Sequence, residues 1–271
     1  MKNYWTQSKK NIFVAAHRGC STKYPENTMP AFKAALDAGV DQIEFDLHVT
    51  LDNEIVIMHD SDVSRTTNGK GKLSEMTLAQ IKELDAGSYK GEEFVGTRVP
   101  TFIEFMDLVK DHPTLTLDVE IKEYPQSASE DDPAYLFCDR VLKILDDYGY
   151  TDRVVINSFS NPLNEYIYKK YGKKYRQHVY YPLPVMVGPR TINPYEYAYC
   201  ACMFADFYSK YDTALKMAYD KMAEIGPQPW AGAFVKNADH VDAVIERGAM
   251  LITCNDPVEI LRILREKGYH S

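Results

Sequence analysis

Seven side chains of the types used in phosphate chemistry lie in or directly after apolar runs in the first half of the chain. Histidine exchanges protons near neutral pH, carboxylates bind hard cations, and the arginine guanidinium binds anions through a planar fork of donors. Together they could bind a phosphate group, hold a divalent cation and move protons, so the pattern indicates a functional site. The residues are His17, Arg18, Glu44, Asp46, His59, Glu120 and Lys122.

The carboxylates are spaced so that β-strands would bring them to one face. Residues two apart in a strand point the same way, so Glu44 and Asp46 project together, as do Asp118, Glu120 and Lys122 on a later strand. Carboxylates from neighbouring strands predict a site for Mg²⁺ or Ca²⁺, bound by Glu44, Asp46 and Glu120. The alternative is that these carboxylates only form interior ion pairs with the nearby arginine and lysine.

The positions of the two histidines in the sequence indicate a catalytic role. Taken alone, His17 or His59 would be read as a core histidine with its hydrogen bonds satisfied. Each stands at the C-terminal end of an apolar run, which is the end of a barrel strand where catalytic groups gather. Together they favour an acid–base pair.

The elements that must position these residues alternate between strand and helix. Short runs rich in Val, Ile, Phe and Thr are separated by segments of helical period, which is typical of an α/β fold built from repeated β-α units. Eight strands are predicted: Ile12–Ala16, Gln42–Val49, Leu115–Ile121, Arg153–Ser158, Gln177–Tyr181, Met203–Tyr208, Trp230–Phe234 and Met250–Thr253. Helices are predicted at Thr28–Ala38, Thr101–Asp111, Pro133–Asp147, Asn161–Tyr171, Tyr211–Ile225, Ala238–Arg247 and Pro257–Lys267, with a poorly defined one near Tyr195–Cys200.

Eight such units in about 250 residues predict a (β/α)8 TIM barrel. A doubly wound sheet is the alternative, weakened because no glycine-rich phosphate loop follows the first strand. We expect residues 1–271 to form one domain, with residues 60–100 a small insertion between the second strand and the second helix. Within the insertion, Leu78–Leu84 should form a short helix capped by Thr77.

Bulk composition excludes several classes of protein. The formal net charge is −8, from 31 basic and 39 acidic side chains, and no long basic run is present, which argues against a nucleic-acid partner. No apolar stretch approaches the roughly 18 residues of a spanning helix, so we expect no stable membrane insertion and a cytoplasmic location. Five cysteines without C-x-x-C spacing indicate neither a disulfide framework nor a zinc cage. The oligomeric state is not encoded in any pattern we recognise.

The motifs between Ala16 and Lys122 resemble those of the glycerophosphodiester phosphodiesterase family in order and spacing. The resemblance implies that His17 and His59 are the acid–base pair, that the three carboxylates bind a divalent metal, and that Arg18 and Lys122 hold the phosphate. It also implies that residues 60–100 are the family's insertion. The matching motifs are His17-Arg18-Gly19, Pro25-Glu26-Asn27-Thr28, Glu44-x-Asp46, Thr50-x-Asp52, His59-Asp60, Arg65-Thr66-Thr67, Gly71, Leu84-Asp85-Ala86-Gly87, Pro100-Thr101-Phe102 and Glu120-x-Lys122, with Ser158-Phe159 further on.

The expected reaction is metal-dependent hydrolysis of a small-molecule glycerophosphodiester to an alcohol and glycerol 3-phosphate. The resemblance suggests that the substrate's own neighbouring hydroxyl attacks phosphorus, giving a cyclic phosphate that water then opens. A phospholipase D-like lyase acting on lysolipids is one alternative, and a non-catalytic phosphodiester-binding barrel is another. A metal-dependent amidohydrolase is disfavoured, because that family has a His-x-His pair on its first strand, where this chain has His17-Arg18-Gly19.

The second half of the chain departs from the family pattern. It reads Ala233-Phe234-Val235-Lys236-Asn237 and Thr253-Cys254-Asn255-Asp256-Pro257 where family motifs are expected, so an aromatic wall of the pocket is absent or comes from elsewhere, for example from Trp230. Phe159 with some of the nearby tyrosines could supply a wall for the alcohol group. Those tyrosines are Tyr180, Tyr181, Tyr195, Tyr197, Tyr199, Tyr208, Tyr211 and Tyr219.

Overall fold

The structure is a computed structural model that describes residues 3–204 and 212–271. Its strands are β1 (Phe13–His17), β2 (Gln42–Val49), β3 (Ile55–Ile57), β4 (Thr116–Ile121), β5 (Val154–Asn157), β6 (Arg176–Tyr181), β7 (Cys200–Met203), β8 (Gln228–Ala231) and β9 (Leu251–Cys254). All except β3 pair in parallel, and the ring closes because β1 pairs with both β2 and β9. The predicted eight-stranded parallel barrel is confirmed.

Helices surround the barrel, and all of them except one, which belongs to residues 60–100, follow a strand of the barrel. They are α1 (Met29–Ala38), α2 (Leu78–Glu83), α3 (Phe102–Val109), α4 (Pro133–Asp147), α5 (Asn161–Tyr171), α6 (Asp212–Ile225), α7 (Ala238–Arg247) and α8 (Pro257–Glu266). On α3, for example, Phe102, Phe105 and Val109 are fully buried and belong to the main core cluster. Among the described residues, no helix is both long and apolar enough to cross a bilayer.

The links on either side of β7 differ from the sequence prediction. Between β6 and β7 the described chain has short 3-10 turns at Leu183–Val185 and Pro194–Glu196 in place of an α-helix. The segment from Tyr181 to Tyr195 contains four prolines, which remove backbone donors that a helix would need. Strand β7 begins three residues earlier than the predicted Met203–Tyr208, and residues 205–208 of that prediction lie outside the described residues, as does the first residue of the predicted Tyr211–Ile225 helix.

Strand β3 was missed by the sequence prediction. It is only three residues long and turns back antiparallel on β2, with Ile57 opposite Leu47 and Ile55 opposite Val49. Asn53, in the connecting turn, has a φ of 63°, a conformation that asparagine adopts more readily than most residues. The hairpin places His59 two residues after β3, next to the end of β2.

Residues 60–100 pack on the hairpin through a small apolar cluster that the two segments share. Its helix α2 begins at the predicted cap, Thr77, whose side chain forms a reciprocal capping box with Gln80. The backbone N–H groups of Gly87, Ser88 and Gly96 donate to the Asp85 carboxylate and lower its pKa to about 2. The cluster consists of Val56, Met58, Val63, Leu73, Ile81, Ala86 and Val99.

A capping box at the start of helix α3 should contribute measurably to the stability of the protein. Thr101 accepts from the Glu104 backbone N–H while the Glu104 carboxylate accepts from the Thr101 backbone N–H, at 3.1 and 2.7 Å. Thr101→Ala removes one half of this capping box, so we expect the free energy of unfolding to fall by about 1 kcal/mol. Chemical denaturation measures it, with Thr114→Ala, an exposed threonine in the turn before β4, as control. Equal stability of the two variants would contradict the capping argument.

Candidate active site

A cavity of about 260 Å³ opens at the C-terminal ends of the strands and gathers most of the predicted site residues. Its lining includes His17, Arg18, Glu44, His59, Glu120, Lys122 and Phe159. Asp46 is fully buried beside them, in ion-pair contact with Arg18 and Lys122. All eight site residues predicted from the sequence therefore lie together at one end of the barrel.

The carboxylate cluster follows directly from strand register. Asp46 on β2 lies opposite Glu120 on β4, and Glu44 is two residues before Asp46 on the same face. One oxygen of each of these three carboxylates lies within 4.8 Å of the others. Burial and the neighbouring carboxylates raise the pKa of Glu44 well above its usual range, whereas the pKa of Asp46 is lowered, because Lys122 and Arg18 outweigh its burial.

This donor set fits a hard divalent cation. Three carboxylates supply only oxygen ligands, which Mg²⁺ and Ca²⁺ prefer. Like charges close together in a buried site repel each other, and burial and this repulsion raise the pKa of Glu44. A bound cation would offset the repulsion. Glu44, Asp46 and Glu120 are therefore the residues able to hold the metal.

Two cations lie against the same cluster. The Lys122 ammonium is 3.0 Å from Asp46 and 2.5 Å from Glu120, and the Arg18 Nε is 3.4 Å from Asp46. The ion pairs of the alternative interpretation thus exist. Among the described residues, however, the Glu44 carboxylate has only the Arg18 backbone N–H, at 3.0 Å, as a hydrogen-bond donor. Three carboxylates thus face two cationic side chains.

The tight turn after β1 explains the glycine of the His-Arg-Gly motif. Arg18 and Gly19 have φ values of 59° and 80°, and a Cβ at Gly19 would lie 2.7 Å from the Ala31 backbone of α1. The turn directs the Arg18 side chain back over the carboxylates. His17, the last residue of β1, hydrogen-bonds through Nδ1 to Asn255 Oδ1 at 2.6 Å, and burial followed by the charge of Arg18 lowers its pKa to about 4.

His59 is held by a chain of charged residues that reaches back to Arg18. Its Nδ1 lies 2.6 Å from Asp60, and Asp60 also binds Arg65. Arg65 forms a bidentate pair with Glu26, at 2.8 and 2.9 Å, and Glu26 binds Arg18 at 2.9 Å. Although its partial burial opposes this, the pKa of Asp60 falls to about 2 beside Arg65 and His59. Arg65 of the insertion therefore connects His59 to Arg18, the residue that follows His17.

Glu26, Asp60 and Arg65 lie in motifs that resemble those of the family, but no role for them is predicted from the sequence. Asn255 was quoted only as a departure from the family pattern. A role for Asn255 could have been predicted, because it is a polar residue directly after an apolar strand, at the same end of the barrel as the other site residues. The sequence also does not predict that Asp118 pairs with His178.

An aromatic wall faces the cations across the cavity. Phe159 stacks on Tyr180 with ring centroids 3.8 Å apart, and Phe204 packs edge-on against both. The Lys122 ammonium lies 6.0 Å from the Phe159 ring centroid. Trp230 does not belong to this wall: it is fully buried and packs against Trp5 and His178. The strand predicted at Trp230–Phe234 runs from Gln228 to Ala231.

Of the other tyrosines proposed for the wall, those in the described chain lie elsewhere. Tyr195, Tyr197 and Tyr219 are buried in the core, and Tyr199 packs against Trp5. Tyr181 is part of the partly buried layer around the core. Tyr208 and Tyr211 lie outside the described residues.

Comparison with known proteins places the chain in a family. Residues 17–184 match the model of the Glycerophosphoryl diester phosphodiesterase family. A glycerophosphodiester phosphodiesterase from Caldanaerobacter subterraneus subsp. tengcongensis is 33% identical over 261 residues, which is 94% of this chain and 98% of that protein. One from Bacillus subtilis is 35% identical over 161 residues, 56% of this chain and 54% of the relative.

Solved structures share the fold. An Oleispira antarctica phosphodiesterase in complex with sn-glycerol-3-phosphate superposes with a TM-score of 0.76 at 22% identity, covering 93% of this chain and 96% of the other. A glycerophosphodiester phosphodiesterase from Agrobacterium tumefaciens superposes with a TM-score of 0.72 at 19% identity, covering 91% and 97%. The chain belongs to the glycerophosphoryl diester phosphodiesterase family and is a phosphoric diester hydrolase.

Proposed function

We propose that this phosphodiesterase hydrolyses glycerophosphodiesters to an alcohol and glycerol 3-phosphate, with His17 and His59 as its acid–base pair. The observation that carries the proposal is that both imidazoles line one cavity with Arg18, Lys122 and a buried carboxylate cluster. A phosphodiester is a stable anion, so its hydrolysis needs charge neutralisation, an activated nucleophile and a protonated leaving group. Each need has a residue in this cavity.

Charge neutralisation comes from both side chains and metal. The Arg18 guanidinium and Lys122 ammonium bind the non-bridging phosphate oxygens, as their charge and donor geometry favour. A divalent cation, Mg²⁺ or Ca²⁺, held by Glu44, Asp46 and Glu120, supplies Lewis-acid charge when bound.

The surroundings of the two histidines support a different role for each. His17 pairs with the neutral Asn255 amide and has a pKa of about 4, so it is neutral at pH 7 and can accept a proton at Nε2. Burial lowers the pKa of His59 as well, but the Asp46 and Asp60 carboxylates oppose that shift and favour its imidazolium. We therefore assign His17 as the base in the first step and His59 as the acid that protonates the departing alcohol.

The nucleophile we propose is the substrate's own hydroxyl at C2 of glycerol. His17 removes its proton, the oxygen bonds to phosphorus, the bond from phosphorus to the alcohol oxygen breaks, and His59 protonates that oxygen. Water then opens the cyclic phosphate with the two histidines in reversed roles. Phe159 and Tyr180 form the wall against which the alcohol lies.

Metal-reconstituted turnover of a panel of glycerophosphodiesters, followed by phosphorus NMR, tests the proposal. We expect a transient cyclic phosphate resonance that decays as glycerol 3-phosphate grows, because ring opening is a separate step. Accumulation of cyclic phosphate without ring opening would indicate the lyase. Absence of any product with every divalent metal would indicate a barrel that only binds phosphodiesters.

We further propose that residues 1–271 act as one domain with residues 60–100 as a subregion. The support is the apolar cluster that joins that segment to Val56 and Met58, together with the ion pair of its Arg65 with Glu26.

A further inference from the structure

One buried pair beside the carboxylate cluster has no part in the chemistry described above. Asp118 on β4 and His178 on β6 are 0% and 3% exposed, and His178 Nδ1 lies 2.8 Å from Asp118 Oδ2. Both residues line the cavity, together with Asn157 of the intervening strand β5. Asp118 lies opposite Glu44 in the barrel, so the pair borders the metal-binding carboxylates.

Three atoms of this group have no hydrogen-bond partner within the described chain: Asp118 Oδ1, His178 Nε2 and Asn157 Oδ1. Because a carboxylate only accepts, the imidazole donates through Nδ1, and in the neutral imidazole Nε2 is then an acceptor too. Buried acceptors without donors are unfavourable, and functional sites are where proteins keep them. A ligand that satisfies this group must bring hydrogen-bond donors.

Glycerol supplies such donors in every substrate of the proposed class. The proposed reaction consumes the hydroxyl at C2 and leaves the hydroxyl at C1 without a partner. We propose that Asp118, His178 and Asn157 form a subsite, here called the cavity floor, that accepts a hydrogen bond from the C1 hydroxyl. This inference rests on the proposed function and names the group that the enzyme recognises in the glycerol half.

The cavity floor would also decide which lipid-derived diesters are substrates. A 1-acyl lysophospholipid carries an ester at C1, so it lacks the O–H donor and adds a long chain. The surroundings leave little room for that chain, since His178 packs between the rings of Tyr180 and Trp230, with centroids 5.2 Å from each. The subsite therefore selects fully deacylated glycerophosphodiesters over lysolipids.

A pair of matched substrates tests this directly. Glycerophosphocholine carries the C1 hydroxyl, whereas its analogue built on propane-1,2-diol lacks only that group and keeps the attacking hydroxyl. We expect the wild-type kcat/KM to favour glycerophosphocholine by about 10-fold or more, because a site built to accept from a hydroxyl rejects the analogue without it. His178→Phe should bring this ratio close to one, mainly through loss of activity on glycerophosphocholine, and 1-acyl glycerophosphocholine should be a poor substrate of the wild type.

Two further variants guard against a simple folding defect. His178→Gln offers a carbonyl acceptor and should restore part of the preference, whereas His112→Phe, near the start of β4 and away from the cavity, should leave it unchanged. A wild-type ratio near one, a preference that survives in His178→Phe, or rapid cleavage of the lysolipid would each overturn the inference.

Calorimetry separates this inference from the proposed function. Glycerol 3-phosphate and its analogue without the C1 hydroxyl are titrated into wild type and His178→Gln. Tighter binding of glycerol 3-phosphate by the wild type, reduced in the variant, supports the cavity floor even if no diester is turned over. Equal binding of both ligands refutes it even if turnover is fast.

Discussion

His17→Ala and His59→Ala are each expected to lower kcat by about 10²- to 10⁴-fold, the usual contribution of a positioned acid or base. Neither imidazole is part of the apolar core, and each is partly exposed to the cavity, so the variants should stay folded. Steady-state turnover of glycerophosphocholine with saturating metal measures the loss, and thermal unfolding confirms the fold.

The pH profile separates the two histidines. The base works only when it is neutral, so activity should fall at low pH as His17 is protonated. In His17→Ala this fall in activity at low pH should be absent. The acid works only when protonated, so activity should fall on the alkaline side, and His59→Ala should lose that limb. His112→Ala serves as the matched control, because this half-buried histidine lies near the start of β4. Wild-type turnover in either active-site variant would refute the acid–base assignment.

Removal of the metal, or of one of its ligands, should abolish activity as completely as loss of a histidine. In the wild type, chelation should stop turnover and Mg²⁺ or Ca²⁺ should restore it. Metal at 100 times its dissociation constant should add about 2.7 kcal/mol to the free energy of unfolding. Glu44→Gln keeps the shape of the side chain but removes its charge, so both the turnover and the metal-dependent stabilisation should be lost.

The metal-free protein gives a second, independent measurement at Glu44. Because the folded state raises its pKa, the unfolded chain releases this proton first, and stability should fall as pH rises above about 4.3. Glu44→Gln should weaken that dependence and leave the metal-free protein at least as stable as the wild type. Glu246→Gln, an exposed change on α7, should alter neither property. Metal-dependent stabilisation that survives in Glu44→Gln would contradict the proposed ligand set.

The fold and the charged half of the site could be predicted from sequence because both depend on local periodicity. Alternation along β2 was enough to put Glu44 and Asp46 on one face, and a parallel barrel brings the ends of its strands together. Helix α1 ended at Gly39 as its left-handed C-cap, and α2 began at Thr77, as their local patterns predict.

The remaining features depend on contacts between residues far apart in sequence. The pairing of Asp118 with His178 spans 60 residues, and that of His17 with Asn255 spans 238. No periodicity links such positions. Strand β3 was missed because three apolar residues are too few to show a period. Trp230 packs on Trp5 near the start of the chain and on His178 of β6, and no local pattern indicates these contacts.

Closure of the barrel through β1 links catalysis to completion of the chain. Every motif shared with the family up to Lys122 is translated early, yet β1 gains its second neighbour, and His17 its Asn255 partner, only when residues 251–255 have been synthesised. A nascent chain that already contains both histidines and the three clustered carboxylates therefore lacks the hydrogen bond to Asn255 that would orient His17 as the proposed base. Synthesis of the last barrel unit is thus also the step that completes the hydrogen bonding of His17.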